Sequence, residues 1–436
     1  MATDKTQGQS AKDKKIMEEI ERKHGKTPAQ LFEERDKRVR DAIALKEPDR
    51  VPVLLGEGVF AAKYSGLPLS AMYYDLEAFR EATRKALLDF EPDLCQAGVG
   101  GSSGETLTLL DTRHQRWPGG NLPPNVPYQF VEGEYMKVEE YDLFLSDPSD
   151  FTLRYYLPRL FGVLSPVSKL PPLRTLSSGG FPAIVSLFAT PEFRQLGEIL
   201  YHAGQEQAKA QLIARAHEED LTRLGFPALK LGSGVGAAPF DAIADNLRGM
   251  RGTMLDMYRC PDKLLAACDK ILQWRIAGAK PANSPRPPLV SRPLHKGAEG
   301  FMSLKQFERF YWPTLKTAII KDIELGYTPR LGWQGKVDSR LEYFLELPKG
   351  KVLCWFEHTD MAKAKAVLGN HICIAGNVPV SMLCCGSPQD VDEYCKNLIK
   401  VCGKGGGFIL TSGGAMDDAK PENVRAMVES AKKYRP

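Results

Sequence analysis

Eight residues with chemically useful side chains each stand just past a short apolar run: Glu57, Gln96, Asp241, His295, Gln334, Glu357, His358 and Asn377. Carboxylates and imidazoles move protons, a histidine near a carboxylate can hold a metal ion, and side-chain amides orient a ligand by hydrogen bonding. His295, Glu357 and Glu57 are therefore candidate catalytic acids or bases. Gln96, Asp241, Trp333, Gln334 and Asn377 are candidate substrate contacts, and His295 and His358 are candidate metal ligands. Each has a plainer reading. A lone histidine such as His295 often only hydrogen-bonds within the fold, and the glycines flanking Glu57 equally serve a turn. Asp241, after Pro239 and Phe240, suits the cap of a helix beginning near Ala242. A glycine-asparagine pair is ordinary turn chemistry, which covers Asn377. Glu357 and His358 are neighbours, and neighbours on a strand point opposite ways, so only one faces a pocket unless the strand has already ended.

The elements that must position these residues can be read from hydrophobic period. Residues 371–375 form a β-rich run, 388–401 an amphipathic helix opened by Ser387-Pro388, and 408–410 a second apolar strand. That is a β-α-β unit, since parallel neighbours in one sheet need a crossover of about a dozen residues. The same alternation runs back to residue 51, with strands at 51–55, 92–96, 228–231, 288–291, 328–331 and 351–356 and helices between them. Some seven repeats of strand and helix predict a parallel α/β barrel, whose chemistry gathers at the carboxyl ends of its strands. Residues 1–46 are charged and rich in helix formers. They predict a tail and two helices packed outside a main domain of residues 47–436. Residues 98–128 form a glycine- and proline-rich stretch of the length expected for a lid or binding loop.

Composition excludes several classes. With 43% hydrophobic and 26% charged residues the chain is an ordinary globular one, and a net charge of +4 over 436 residues argues against a dedicated nucleic-acid binder. Residues 1–15 lack the apolar core of a secretory signal, and the cysteines are scattered without a Cys-x-x-Cys pair, so reduced thiols in a soluble cytoplasmic protein are expected. The glycine runs at 232–236 and 405–407 fit neither the phosphate-loop nor the dinucleotide pattern.

The chain also resembles the uroporphyrinogen decarboxylase superfamily, which includes methyltransferases acting on corrinoid cofactors. The resemblance rests on Gly376-Asn377-Val378, on Ser387-Pro388 with Val391, on Gly406-Gly407-Phe408-Ile409-Leu410 and on Pro421-Glu422-Asn423-Val424. Upstream, Arg50-Val51-Pro52-Val53 is similar to the family's first strand. Gly236-Ala237-Ala238-Pro239-Phe240 and the stretch from Phe301-Met302-Ser303 to Trp312-Pro313 match further segments, for a coverage of about residues 47–434. The resemblance implies a distorted (β/α)8 TIM-like barrel of the uroporphyrinogen decarboxylase type, here with an N-terminal helical extension.

Departures from the family pattern narrow the function. The arginine-rich segment that holds porphyrinogen carboxylates is here Leu55-Gly56-Glu57-Gly58-Val59-Phe60-Ala61, with an acid and no arginine. The family's essential aspartate falls near Cys95-Gln96, and its late histidine is Gly413. A substrate with many carboxylates needs cationic partners, so decarboxylation becomes the alternative and not the leading expectation. The zinc-binding His-x-Cys and late Cys of some methyltransferases align with Gly332 to Gln334 and with Gly414, so any zinc would sit elsewhere, at His295 and His358. The resemblance thus implies a corrinoid-dependent methyltransferase that demethylates a small methylated compound. An Asp-x-His-x-x-Gly corrinoid motif is absent, because Asp111 and His114 are spaced differently, so a partner protein would carry the cobalamin. A non-catalytic tetrapyrrole or corrinoid binder is the further alternative, and a homodimer is the family-level expectation.

Overall fold

Eight short strands alternate with helices along the chain: β1 (Leu54–Leu55), β2 (Leu94–Gln96), β3 (Ala228–Leu229), β4 (Leu289–Leu294), β5 (Thr328–Trp333), β6 (Leu353–Phe356), β7 (Cys373–Val378) and β8 (Phe408–Ser412). This computed structural model describes residues 2–56, 58–96, 102–230 and 232–436, with side chains from residue 13 onward except 176 and 177. All the pairings among these strands are parallel, in the orders β1-β2-β3 and β8-β7-β6-β5-β4. Isolated parallel bridges join Val53 to Leu410 and Lys230 to Val290, linking the two sheets at both ends. Parallel strands covered on both faces read as near-continuous apolar runs, which is why the sequence pattern identified them.

Successive residues of each strand serve different layers. Leu54, Leu94, Leu229, Leu289, Leu353, Cys373, Ala375 and Ile409 form one buried cluster. Their neighbours Val53, Leu55, Cys95, Leu331, Cys354, Phe356, Ile374 and Leu410 belong to the larger cluster shared with the surrounding helices.

The N-terminal segment departs from its expected place. Helices α1 (Ala2–His24) and α2 (Pro28–Ile43) are present, and α2 opens with a capping box between Thr27 and Gln30, with Pro28 in its first turn. However, α2 does not pack outside the domain. Val39, Ala42 and Ile43 join the strand-interior cluster, while Arg35 donates to the Gly225 carbonyl at 2.7 Å with its guanidinium 4.3 Å from the Phe226 ring. Charged residues dominate the segment's composition, yet its one apolar stripe is what the strands require. Asp93, fully buried at the start of β2, fastens this end by accepting from Arg38, Arg50 and the Val53 N–H.

Between β2 and β3 lies a long insertion. It contains α3 (Pro191–Arg223) and a two-stranded antiparallel ribbon of Gln115–Arg116 with Gln129–Phe130. The stretch expected to be a lid is anchored where it is described: Trp117 is buried and its Nε1 donates to the Tyr74 hydroxyl at 3.1 Å. After β3, α4 (Pro239–Asn246) carries two aspartates. Helices α5 (Pro388–Cys402) and α6 (Pro421–Lys433) flank β8, and Ser387 caps α5 through a capping box with Asp390. No helix among the described residues is long and apolar enough to cross a membrane.

Candidate active site

Backbone hydrogen bonds place the residues after the strands along one edge. Gln334 N–H donates to Leu294 O at 3.0 Å, Glu357 N–H to Trp333 O at 3.2 Å, and Gly413 N–H to Val378 O at 2.7 Å. Because every strand runs the same way, this edge collects the carboxyl ends of all of them.

A cavity of about 810 Å³ opens at this edge beside β6, β7 and β8. Glu357, His358, Asn377, Tyr394, Gly413 and Gly414 line it. Glu357 is held by one oxygen: Oε2 accepts the Gly335 N–H at 2.5 Å, while Oε1 lies 3.8 Å from Nε2 of the largely exposed His358. The amide of Asn377 is fixed as well, with Nδ2 donating to Thr359 O at 2.9 Å and to Glu357 O at 3.4 Å. The Tyr394 hydroxyl lies 3.5 Å from Asn377 Oδ1, which brings a helix side chain to the same point. No Lys or Arg lines this cavity among the described residues.

The two late glycines have a steric reason. A Cβ on Gly413 would lie 2.9 Å from the Glu357 carbonyl oxygen, and one on Gly414 would lie 3.1 Å from a Val380 methyl carbon and 3.6 Å from Glu357 Oε1. The glycines let the chain pass close to the Glu357 backbone and to Val380, so a side chain at Gly413 would crowd the Glu357 carbonyl.

A second polar cluster forms where α4 meets the end of β4. Asp241 and Asp245 are one helical turn apart and face His295 and Lys296. Asp241 is buried, and its carboxylate accepts the His295 N–H at 2.9 Å, the Lys296 N–H at 2.9 Å and the Tyr311 hydroxyl at 2.7 Å. Burial pushes the Asp241 carboxyl up, opposed by His295 and these hydrogen bonds. Burial, and then the Asp241 carboxylate, push Tyr311 well above its ordinary range, so its hydroxyl remains a donor. His295 Nδ1 lies 2.7 Å from Asp245 Oδ2, and Lys296 Nζ lies 3.1 Å from Asp245 Oδ1. The hydrogen bond to Asp245 holds the imidazole above its ordinary value against the effect of burial. Burial opposes ionisation of Asp245, yet His295 and Lys296 hold its carboxyl below the usual range.

A third group fills the strand interior. Arg330, buried on β5, donates from Nη1 to Ser291 Oγ at 3.0 Å, and its guanidinium sits 4.8 Å from the Trp355 ring. Trp355 Nε1 donates to Ser412 O at 2.9 Å.

Of the residues proposed from sequence, Glu357, His358 and Asn377 meet in the cavity, with Glu357 and His358 both reaching it because the strand has ended at Phe356. His295 is in the α4 cluster and does not line that cavity. Asp241 is not a helix cap: α4 begins at Pro239, and three internal donors use the carboxylate, which makes it a scaffold for the His295 loop. Trp333 is turned away from the edge into the helix layer, where its ring stacks on Phe344 at 4.9 Å, since only alternate residues of β5 face inward. Gln334 is exposed just beyond β5, and Gln96 ends β2 with its Oε1 buried and without a hydrogen-bond partner among the described residues. Glu57 lies outside the described residues. His295 and His358 are not brought together, and among the described residues no three His, Cys, Asp or Glu side chains form a metal-binding group. The donor set there does not fit a resident zinc ion. Most of the cysteines are buried, and burial pushes thiols such as Cys95 up to about 12.

Sequence reasoning missed Asp245 and Arg330. The four-residue spacing from Asp241 was a signal for the first, and a lone basic residue inside the apolar strand Thr-Pro-Arg-Leu-Gly-Trp was one for the second.

Residues 228–434 match the uroporphyrinogen decarboxylase (URO-D) family, a stretch that carries α4, the His295 loop and the whole cavity. The fold comparison extends further along the chain: a solved structure, a methyltransferase from Methanosarcina mazei, is similar with a TM-score of 0.57 at 14% sequence identity, over 91% of this chain and 97% of that one. At this identity the likeness is one of fold. Comparison with curated proteins finds no match. The cavity residues Asn377 and Gly413 both lie within the matched segment.

Proposed function

We propose that this protein is a corrinoid-dependent methyltransferase that removes a methyl group from a small methylated substrate, with the corrinoid carried by a partner protein docked over the strand ends. The single observation that carries the reading is the cavity of about 810 Å³ at the carboxyl ends of β6 to β8, lined by a carboxyl group, a fixed amide and a tyrosine. The likeness to a structure called a methyltransferase supports the same class. Decarboxylation of a polycarboxylate is the weaker reading, because the lining includes Glu357 and Asp360 and neither Lys nor Arg. The two isolated bridges support reading the eight strands as one closed (β/α)8 barrel, whose mouth is this edge.

In this reading the methyl group leaves as a cation equivalent, both bonding electrons stay on the substrate heteroatom, and a proton arrives there to complete the product. A corrinoid bound to the partner would supply the electron pair that takes up the methyl group. This chain supplies the proton and the geometry. Glu357, restrained through Oε2, keeps Oε1 for the substrate, and Asn377 and Tyr394 line the same cavity beside it. His295, oriented through Nδ1 by Asp245, stands after β4 outside this cavity.

Anaerobic incubation of the pure protein with a Co(I) corrinoid and a panel of methylated ethers and amines tests this. Methylcobalamin formation, followed by its visible spectrum, is expected from at least one donor and is expected to drop about 100-fold or more in Glu357→Gln. Failure with every donor, together with porphyrinogen turnover, overturns the proposal.

A further inference from the structure

The short helix Phe181–Phe188 belongs to the insertion between β2 and β3, outside residues 228–434. Its sequence, Phe-Pro-Ala-Ile-Val-Ser-Leu-Phe, carries a single polar side chain, yet none of its eight residues is buried. A helix that is apolar all round belongs in a protein core or in lipid. Its inner side is accounted for: Leu187 packs against Val167, Phe193 and Leu196, and the Phe188 ring lies 5.3 Å from that of Phe193. The outer side is open to solvent. Phe181, Val185 and Phe188 recur at steps of four and three residues and so form one stripe, and they are 63%, 52% and 62% exposed.

We propose that this helix docks the protein on an anionic phospholipid surface, lying in the plane of the bilayer with Phe181, Val185 and Phe188 inserted below the headgroups. The polar groups of the segment favour lipid over a protein partner. A protein interface carries about one hydrogen bond per 100–200 Å², whereas hydrocarbon offers nothing to a free donor. Thr175 donates to Pro172 O at 2.7 Å, Ser186 to Pro182 O at 3.1 Å and Thr190 to Leu187 O at 2.7 Å, so all three hydroxyl donors are engaged by the segment's own backbone. Pro182 removes one N–H from the first turn, and the Ala189 and Thr190 N–H groups close the last turn on Ser186 O and Leu187 O.

Charge points the same way. Residues 175–191 contain no charged side chain, and residues 151–191 contain Arg154, Arg159, Lys169 and Arg174 but no Asp or Glu. The first carboxylates downstream, Glu192 and Glu198, are paired with Lys169 at 3.3 Å and Arg194 at 3.1 Å, so the acids nearest the stripe in sequence are neutralised. A segment bordered by basic residues and free of its own acids suits the negative surface of an anionic bilayer. Eight residues rise about 12 Å, far short of the roughly 20 residues that span a bilayer. The helix therefore lies flat, and the contact is reversible.

Flotation of the full chain with vesicles of phosphatidylcholine mixed with phosphatidylglycerol tests the proposal. The wild type is expected to float with the vesicles, and salt at about 0.5 M to weaken binding without abolishing it, because the apolar contact is not screened. The double variant Phe181→Ser with Phe188→Ser is expected to bind at least about tenfold more weakly, with an unchanged circular dichroism spectrum because both rings are exposed. Tyr258→Ser, which removes a still more exposed ring outside the insertion, is expected to bind like the wild type. Val185→Trp is expected to add a fluorophore that brominated lipid chains quench beyond the wild-type level. A wild type that stays unbound, binding that survives the double substitution, binding abolished by salt alone, or an unquenched Val185→Trp overturns the proposal. Self-association of the wild type without vesicle binding, lost in the double variant, would assign the stripe to a protein contact and also overturns it.

Discussion

His295 Nδ1 lies 2.7 Å from Asp245 Oδ2, and the same helix that supplies Asp245 holds the His295 backbone through Asp241, one turn earlier. One carboxylate thus sets where the loop is, and the other sets how the imidazole is oriented and charged. Asp245→Asn is therefore expected to lower the His295 pKa, because the hydrogen bond that raises it is weakened while the opposing burial remains. Titration of the imidazole carbon-bound protons by NMR measures it.

The same pair dictates a pH dependence of stability. His295 is raised in the folded state, so its contribution is full below about 6.5 and is lost as pH rises through the folded value. Asp245 is lowered, so its contribution is present above about 3.9 and is lost as pH falls through the folded value. Urea unfolding across pH should place the largest difference between wild type and Asp245→Asn between these limits.

Asp241 satisfies two backbone N–H groups and a buried tyrosine hydroxyl. Asp241→Ala leaves all three without that acceptor, at about 1–3 kcal/mol for a stranded buried group, and a total loss of roughly 3–5 kcal/mol is expected. Tyr311→Phe removes only one donor and is expected to cost about 1 kcal/mol. Denaturant melts of both variants separate the scaffold role from a direct contact with substrate.

Gly413→Ala drives a Cβ to within 2.9 Å of the Glu357 carbonyl oxygen. Overpacking of this kind costs about 1–3 kcal/mol, and displacement of Glu357 should lower turnover as well. Gly278, with nothing within 4 Å of its built Cβ, is the control, and Gly278→Ala should be neutral or slightly stabilising in the same thermal melt.

Val39 is fully buried among the strand-interior residues. Val39→Ala is expected to cost roughly 2 kcal/mol, and Val39→Asp to abolish cooperative unfolding by placing a carboxylate there without a partner. Deleting residues 1–46 should yield an aggregating chain, because it uncovers Leu54, Leu94, Leu229, Leu289 and Leu353 together. Solubility and dye-binding assays of the truncation check this.

Much of the strand and helix order was legible because it depends on local period. The helix expected at 388–401 is Pro388–Cys402, and the strand expected at 351–356 contains Leu353–Phe356. The site was only partly legible. Glu357, His358 and Asn377, chosen for their positions after strands, line one cavity, whereas Trp333, chosen as a substrate contact, packs in the helix layer, and α2, expected outside the main domain, packs against the strands. A one-residue step along a strand reverses the side chain, and six-residue apolar stretches do not reveal which alternate set faces inward.

By itself, the sequence determined the parallel α/β alternation and the strand-end positions of the polar residues, because both are matters of residue type and local spacing. Only the tertiary structure decided which of those residues share a cavity, that Asp245 orients His295, that Arg330 lies beneath the edge against Trp355, and that α2 closes the far end. These depend on contacts between segments far apart in the chain, whose partners are set by how the strands and helices pack and leave no periodic trace in either segment alone.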